Sequence, residues 1–231
     1  MTKTRRYAND RILCFADVHF PYHHEGLFDF LADIKRDLKP DRILINGDLT
    51  DSYQFSSYAK DLGADSVTRE LKNLRKSVGK LIKIFPDVTI TSSNHDIRLW
   101  RKAKIAGIPR EVLMPYAKMI GADKANWKLV PEQIWTVDAT REQWTFMHHL
   151  SGSSINGAKG MDTNLVLSHT HTKQGLVRSQ GIKKSYWAVD TGCLINEKTY
   201  AFNYQKLSQN KPVLGACFIE EGTPRIIPFK P

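Results

Sequence analysis

Apolar and polar residues alternate along this chain in three rhythms. Short unbroken apolar runs, "ILCFA" (12–16) and the centre of "DRILING" (41–47), predict fully buried strands. In 25–38, Leu27, Leu31, Ile34 and Leu38 fall on one helical face, and Pro40 ends the helix. From 65 to 85, Val67, Leu71, Leu74, Val78, Leu81 and Phe85 recur at steps of three and four, which predicts a long amphipathic helix. Its outer face carries Lys72, Arg75, Lys76, Lys80 and Lys83, a solvated face. With a third strand over 87–96, the first half reads β-α-β-α-β, the pattern of an α/β sheet with right-handed crossovers.

The pattern changes at 98–127, which is rich in Ala, Lys and Arg and interrupted by Pro109 and Pro115. Short helices, a small cap beside the site, are expected there. Beyond it come short strand-like runs: "WKLV" (127–130), "IWTV" (134–137), "QWTFMHH" (143–149), "NLVLSHTH" (164–171), "SYWAVDTGCL" (185–194), "VLGACFIE" (213–220) and "PRIIPF" (224–229). This β-rich half favours two sheets packed face to face over one doubly wound sheet.

Composition narrows the class without naming an activity. At 231 residues the chain is expected to form one domain, 1–231. Its 41% hydrophobic and 25% charged residues describe an ordinary globular protein. No run approaches the roughly 20 apolar residues of a membrane span, and the basic opening "MTKTRRYANDR" lacks a signal-peptide core, so no membrane partner is expected. Cys14, Cys193 and Cys217 are far apart and odd in number, which points to reduced thiols and a cytoplasmic location. The net charge of +10 suits an anionic partner such as nucleic acid, and a merely solvated basic surface explains it equally well.

The chemistry collects where the strands end. Asp17-Val18-His19 follows the first strand, and Gly47-Asp48-Leu49-Thr50-Asp51 follows the second. Asn94-His95-Asp96 ends the third, His148-His149 ends "WTFMHH", and His169-Thr170-His171 ends "NLVLSHTH". Each is weak alone, since Asp often starts turns and most lone histidines are structural. Five in order, each at the end where open α/β sheets place ligands, form a coherent set. Mixed imidazole and carboxylate donors suit Mn, Fe, Zn or Ni better than Mg or Ca.

This ordered set resembles the calcineurin-like metallophosphoesterase superfamily, whose signature is D-x-H, G-D-x-x-D, G-N-H-[D/E], a lone His, and G-H-x-H. The resemblance covers roughly residues 11–172. It implies an α/β fold, a four-layer α-β-β-α sandwich of two mixed sheets flanked by helices. It implies two divalent transition-metal ions, with Mn favoured. By motif position Asp17, His19, Asp48 and His171 would hold one ion, and Asn94, His148 and His169 the other, with Asp48 bridging. Gly47 would leave backbone freedom and room for substrate. His95 would act at the leaving-group oxygen, and Asp51 would orient it. Asp51 also reads as a helix N-cap, and the two roles are compatible.

Two positions depart from the signature: Ser93 and Ser168 stand where the family has Gly, which is expected to restrict the backbone at those turns. Either His148 or His149 could be the lone His; the place directly after the apolar strand favours His148 and leaves His149 as a substrate contact. Arg98, Arg101, Lys102 and Lys104, with Trp100 between them, could grip a nucleotide or strand, or form a cap helix with solvated lysines. Tyr22, His23 and His24 read as substrate contacts or as ordinary loop residues, and Asp96 as a loop support. The segment "VDTGCLINEKTY" could line the cleft.

The function implied is hydrolysis of a phosphate monoester or diester, with nucleotides or nucleic acid favoured, by direct attack of a metal-bridging hydroxide. The rival is a binding or scaffold protein that kept the fold and lost catalysis; such a chain should lack ligands or the catalytic His, and this one keeps all of them. Oligomeric state is open.

Overall fold

The computed structural model describes residues 10–131, 133–136, 140–205 and 209–230. Most of the basic opening segment and the last residue of the strand expected at 134–137 lie outside the described residues. The first half contains β1 (Arg11–Phe15), α1 (Leu27–Leu38), β2 (Arg42–Ile45), α2 (Val67–Ile84) and β3 (Asp87–Thr91). Helix α2 starts where Ser66 Oγ accepts a hydrogen bond from the Arg69 backbone N–H at 3.3 Å, an N-cap. In 98–127 the chain forms α3 (Arg98–Ile105), a 3-10 turn at Arg110–Val112, α4 (Tyr116–Ile120) and the start of β4 (Asn126–Val130). Tyr116, Met119, Ile120 and Trp127 from this stretch are buried with the residues of α1 and α2.

The second half adds β5 (Gln133–Thr136), β6 (Gln143–Phe146), α5 (Ser154–Gly160), β7 (Asn164–Leu167), β8 (Gln174–Gln180), β9 (Ser185–Thr191), β10 (Gly215–Glu220) and β11 (Thr223–Pro228). Two of these, α5 and β8, are absent from the sequence reading. One sheet runs β11-β10-β1-β2-β3-β4, the other β5-β6-β7-β9-β8. Strands β1 to β4 are parallel, as are β6, β7 and β9; β10 runs antiparallel to β1. Both sheets are therefore mixed.

The layers follow from alternation along the strands. In β1, Leu13 and Phe15 face α1 and α2, while Ile12 and Cys14 face the second sheet. Leu44 in β2 and Cys217 and Ile219 in β10 join Ile12 and Cys14 against Trp144, Phe146, Val166 and Val189. On the far side of the second sheet, Leu165, Leu167 and Ala188 pack with Ala158 of α5. The result is a four-layer α-β-β-α sandwich whose middle is sealed by the two sheets' inner faces.

Candidate metal centre

Strand ends from both sheets meet at one place. Asp17 and His19 follow β1, Asp48 follows β2, and Asn94 and His95 follow β3. His148 follows β6, and His169 and His171 follow β7. Because β1–β3 are parallel neighbours and β6 and β7 are too, their C-terminal ends open on the same edge of the sandwich. The chain turns sharply there: Asp17, His19, Asp48 and His169 have left-handed φ of 51°, 51°, 50° and 72°. Asp and His tolerate that region better than most residues, and such strain collects at functional sites.

Two donor clusters share Asp48. In the first, His171 Nε2 lies 3.0 Å from Asp17 Oδ1 and 3.2 Å from His19 Nε2, and His19 Nε2 lies 3.4 Å from Asp48 Oδ2. In the second, His148 Nε2 lies 3.2 Å from the same Asp48 Oδ2 and 3.2 Å from His169 Nδ1. The donor atoms within each cluster fall within 4.8 Å of one another, and the donor set is mixed imidazole and carboxylate, which fits a transition-metal ion in each. Asn94 is half-buried and lines the adjoining cavity with His95.

The imidazoles are aimed by acceptors behind them. His19 Nδ1 donates to Asp51 Oδ1 at 2.8 Å, and His148 Nδ1 donates to the Asn46 carbonyl at 2.8 Å. Each arrangement leaves Nε2 turned to the centre, the way metal-binding histidines are held. His95 is fixed differently. Its Nδ1 donates to the Asp51 carbonyl at 3.0 Å, its Nε2 accepts from Arg98 Nη2 at 2.9 Å, and its backbone N–H donates to Asp48 Oδ1 at 3.2 Å.

Burial and charge oppose each other here. Burial by itself would raise the carboxyl pKa values of Asp17, Asp48 and Asp51, but the surrounding histidines outweigh it and hold all three well below the usual range. Burial likewise would lower His19, yet the Asp17 and Asp51 carboxylates and the Asp48 charge push it up to about 10. His148 is pushed up to about 9 by Asp48 against the same opposing burial. His169 is lowered, by burial and then by the His148 charge.

Several positions singled out in the sequence lie elsewhere. His149 is exposed and belongs to neither cluster; its ring centroid lies 4.6 Å from that of His169. Arg98 Nη1 donates to the Asp51 carbonyl at 2.8 Å and lines the cavity beside His95, whereas Arg101 is exposed and lines two neighbouring cavities but not that one. Trp100 packs on Tyr116, centroids 5.8 Å apart, and lines another cavity, of about 870 Å³, together with Arg101 and Lys104. His23 packs on Phe20 and Phe28 and His24 on Phe229, away from the centre, and burial lowers His23 to about 4. Tyr200, the last residue of "VDTGCLINEKTY", lines the cavity beside His95.

Two buried residues with a part in the centre are missed by sequence reasoning. Asn46 Nδ2 donates to the Met147 carbonyl at 2.8 Å and Ser168 Oγ at 2.9 Å, while its Oδ1 accepts from Thr91 Oγ1 at 2.9 Å, so one side chain ties the two sheets behind His148. Its only signal is a polar residue closing an apolar run. Phe202 lies edge-on to His19 and His171, with centroids 5.3 and 6.0 Å away. The expectation that Gly47 leaves room for substrate is corrected: with φ of +82°, its missing Cβ makes room for the His148 ring, whose Nδ1 lies 2.5 Å from where that Cβ would stand.

A family model described as calcineurin-like phosphoesterase matches residues 10–191, well over half of the chain and every residue of both clusters. The chain belongs to the calcineurin-like phosphoesterase family. Among solved structures, similar ones include Vps29 from Chaetomium thermophilum, 15% identical, covering 90% of this chain and 83% of that one at a TM-score of 0.44. Another is Yfce, a phosphoesterase from E. coli, 10% identical, covering 94% and 96% at 0.44. No curated protein matches the sequence.

The two serines that replace calcineurin-like glycines do not strain the turns. Neither has positive φ. Ser93 Oγ instead donates to Asp96 Oδ2 at 2.8 Å and accepts from the Asp48 backbone N–H at 2.9 Å. Ser168 Oγ accepts from Asn46 Nδ2 and also lies 3.1 Å from Thr191 Oγ1. Asp96 is itself a buried anchor: its Oδ1 accepts from Thr50 N–H and Oγ1 at 2.9 Å each and from Tyr116 Oη at 2.7 Å.

Proposed function

We propose that this calcineurin-like protein is a dinuclear metal-dependent phosphoesterase that hydrolyses a phosphate monoester or diester, with nucleotides or nucleic acid favoured. The observation that carries the reading is the pair of donor clusters meeting at Asp48 Oδ2. Asp17, His19, Asp48 and His171 would hold one ion, and Asp48, Asn94, His148 and His169 the other, with Mn favoured among Mn, Fe, Zn and Ni. Bound there, two such ions supply an activated water at neutral pH and offset the charge of the phosphoryl oxygens.

The chain's own groups would do the rest. Arg98 spends one N–H on the Asp51 carbonyl and one on His95 Nε2, which leaves further donors of its guanidinium for a non-bridging phosphate oxygen. When Arg98 turns to the phosphate, His95 Nε2 becomes free to carry a proton to the leaving oxygen, with Nδ1 still held by the Asp51 carbonyl. The buried, free cysteines Cys14, Cys193 and Cys217 support a reducing, cytoplasmic setting. Among the described residues no helix is long and apolar enough to cross a membrane.

The test is turnover of p-nitrophenyl phosphate and bis-p-nitrophenyl phosphate after chelation and return of Mn²⁺. Turnover that requires Mn²⁺, disappears in Asp48→Asn, and falls about 10²–10⁴-fold in His95→Ala with Mn²⁺ still bound is the expected result. Absence of both turnover and metal binding would overturn the reading in favour of a non-catalytic binding protein.

A further inference from the structure

Two cavities open beside the metal centre and meet at the same residues. The larger, about 710 Å³, is lined by Asn94, His95, Arg98, Tyr53, Lys60 and Tyr200 among others. The smaller, about 280 Å³, shares Asn94 and Arg98 and is also lined by Arg101 and Lys102. Tyr58 lines both, so its ring forms part of the boundary between them. That ring is 83% exposed, although tyrosine is a residue that usually finds cover.

We propose that these two cavities receive the groups on either side of a scissile phosphodiester in a single-stranded nucleic acid, with one base stacked on Tyr58. The proposal rests on the phosphoesterase reading for its chemistry and on the cavities for its substrate. A monoester has one organic limb and needs one cavity; a diester has two, and here two cavities share Asn94 and Arg98. The larger volume falls within the roughly 300–1,000 Å³ of ordinary ligand sites, and the smaller suits a limb that continues outward along the surface.

The lining names the class of limb. Aromatic faces interleaved with cations are how proteins hold single strands, since every base offers a π-face and every linkage a negative charge. Lys60 lines the larger cavity, Arg101 and Lys102 line the smaller, and Tyr58 and Arg98 line both. The Arg98 and Lys102 charges, after burial, lower the Lys60 pKa, so these cations share one field. A base inside a duplex could not reach Tyr58 without leaving its stack, which favours single strands.

The wall is built before any ligand arrives. Glu70 accepts hydrogen bonds from the Tyr53 backbone N–H at 2.7 Å and from that of Gln54 at 3.2 Å. Tyr53 Oη accepts from the Asp61 N–H at 2.9 Å, and Tyr200 Oη accepts from the Asp65 N–H at 3.1 Å. The loop bearing Tyr58 is thus pinned at both ends to α2 and to Tyr200, and little ordering is left for the ligand to impose.

The test is fluorescence anisotropy with a labelled oligothymidylate and the metal-free protein in EDTA, so that binding is read without hydrolysis. Binding that weakens about tenfold in Tyr58→Ala, stays within about twofold in Tyr58→Phe, and shows a shallower salt dependence in the Arg101→Ala/Lys102→Ala double variant is the expected result. No binding by the wild type, or equal binding by Tyr58→Ala, would overturn the proposal. Turnover of methyl p-nitrophenyl phosphate, a diester without a base, is measured on the wild type with Mn²⁺. Turnover without strand binding would sink the strand subsite alone, whereas Tyr58-dependent binding with neither turnover nor Mn²⁺ binding would sink the phosphoesterase reading and keep the subsite.

Discussion

Asp51 accepts a hydrogen bond from His19 Nδ1 on its carboxylate at 2.8 Å and lies 3.3 Å from His95 Nδ1 with the same Oδ1. One carboxylate therefore stands behind a donor of the first cluster and beside the histidine at the cavity. Its more direct hold is on His19; His95 Nδ1 donates to the Asp51 backbone carbonyl.

Replacing Asp51 with Asn keeps an acceptor for His19 but removes the charge. Mn²⁺ affinity is expected to fall about 10–100-fold, as for other residues that orient a metal-binding histidine. Isothermal titration of the variant checks this; unchanged affinity with lost turnover would assign Asp51 to His95 alone.

The pH dependence of the metal-free protein follows from His19 and His148, held at about 10 and about 9 against the ordinary imidazole value near 6.5. A pKa raised in the folded state contributes stability that is complete below about 6.5 and is lost as pH climbs through the folded values. The depressed Asp17, Asp48 and Asp51 contribute stability present above the ordinary carboxylate range, near 3.8, and lost below it. Thermal melts in EDTA should therefore peak between about pH 4 and 6.5 and decline towards pH 9. Mn²⁺ must displace a proton from His19 at one cluster and from His148 at the other, so affinity at each should rise about tenfold per pH unit from 6.5 to 8.5. Titrations in buffers of different ionisation enthalpy count the released protons.

Gly47→Ala puts a methyl group against the His148 ring at a backbone φ of +82°. It should destabilise the fold by about 2 kcal/mol or more through strain and overpacking. Metal stoichiometry separates this from general unfolding: the cluster containing His148 and His169 should lose its ion first, while the one containing His171 keeps its own.

Ser93→Ala strips a donor from buried Asp96 and an acceptor from the Asp48 N–H, and should cost about 1–3 kcal/mol in urea denaturation. Ser93→Gly should behave no better, since the turn has no positive φ for glycine to relieve. A stabilising Gly variant would contradict the role assigned to the hydroxyl.

Helices α1 and α2 were legible because one face of each is buried and the other is wet, which writes a period of three and four into the sequence. The observed spans, Leu27–Leu38 and Val67–Ile84, sit inside the expected 25–38 and 65–85. Strand β3 ends at Thr91, short of the expected 96, because Ser93 to Asp96 are used to carry donors instead of ladder bonds. Strand β8 left no signal: it lies at a sheet edge, its residues are largely exposed on both faces, and no apolar alternation is demanded of it. Helix α5, "SINGAKG", contains two glycines and a single buried residue, so neither propensity nor periodicity marks it. The paired donors were legible because each pair is local in the chain. Asn46 was not, since it acts through Met147 and Ser168, about a hundred residues on, and Phe202 meets His19 and His171 only in the folded molecule.

The two clusters draw on both sheets at once: Asp17, His19 and Asp48 belong to one, His148, His169 and His171 to the other. A divalent ion accepts only a narrow range of bond lengths, so a slip of one sheet over its neighbour would empty both positions before the strands themselves came apart. Ion occupancy in this protein is thus a gauge of alignment, registering whether the sheet of β5 to β9 has docked correctly on the strands that precede and follow it.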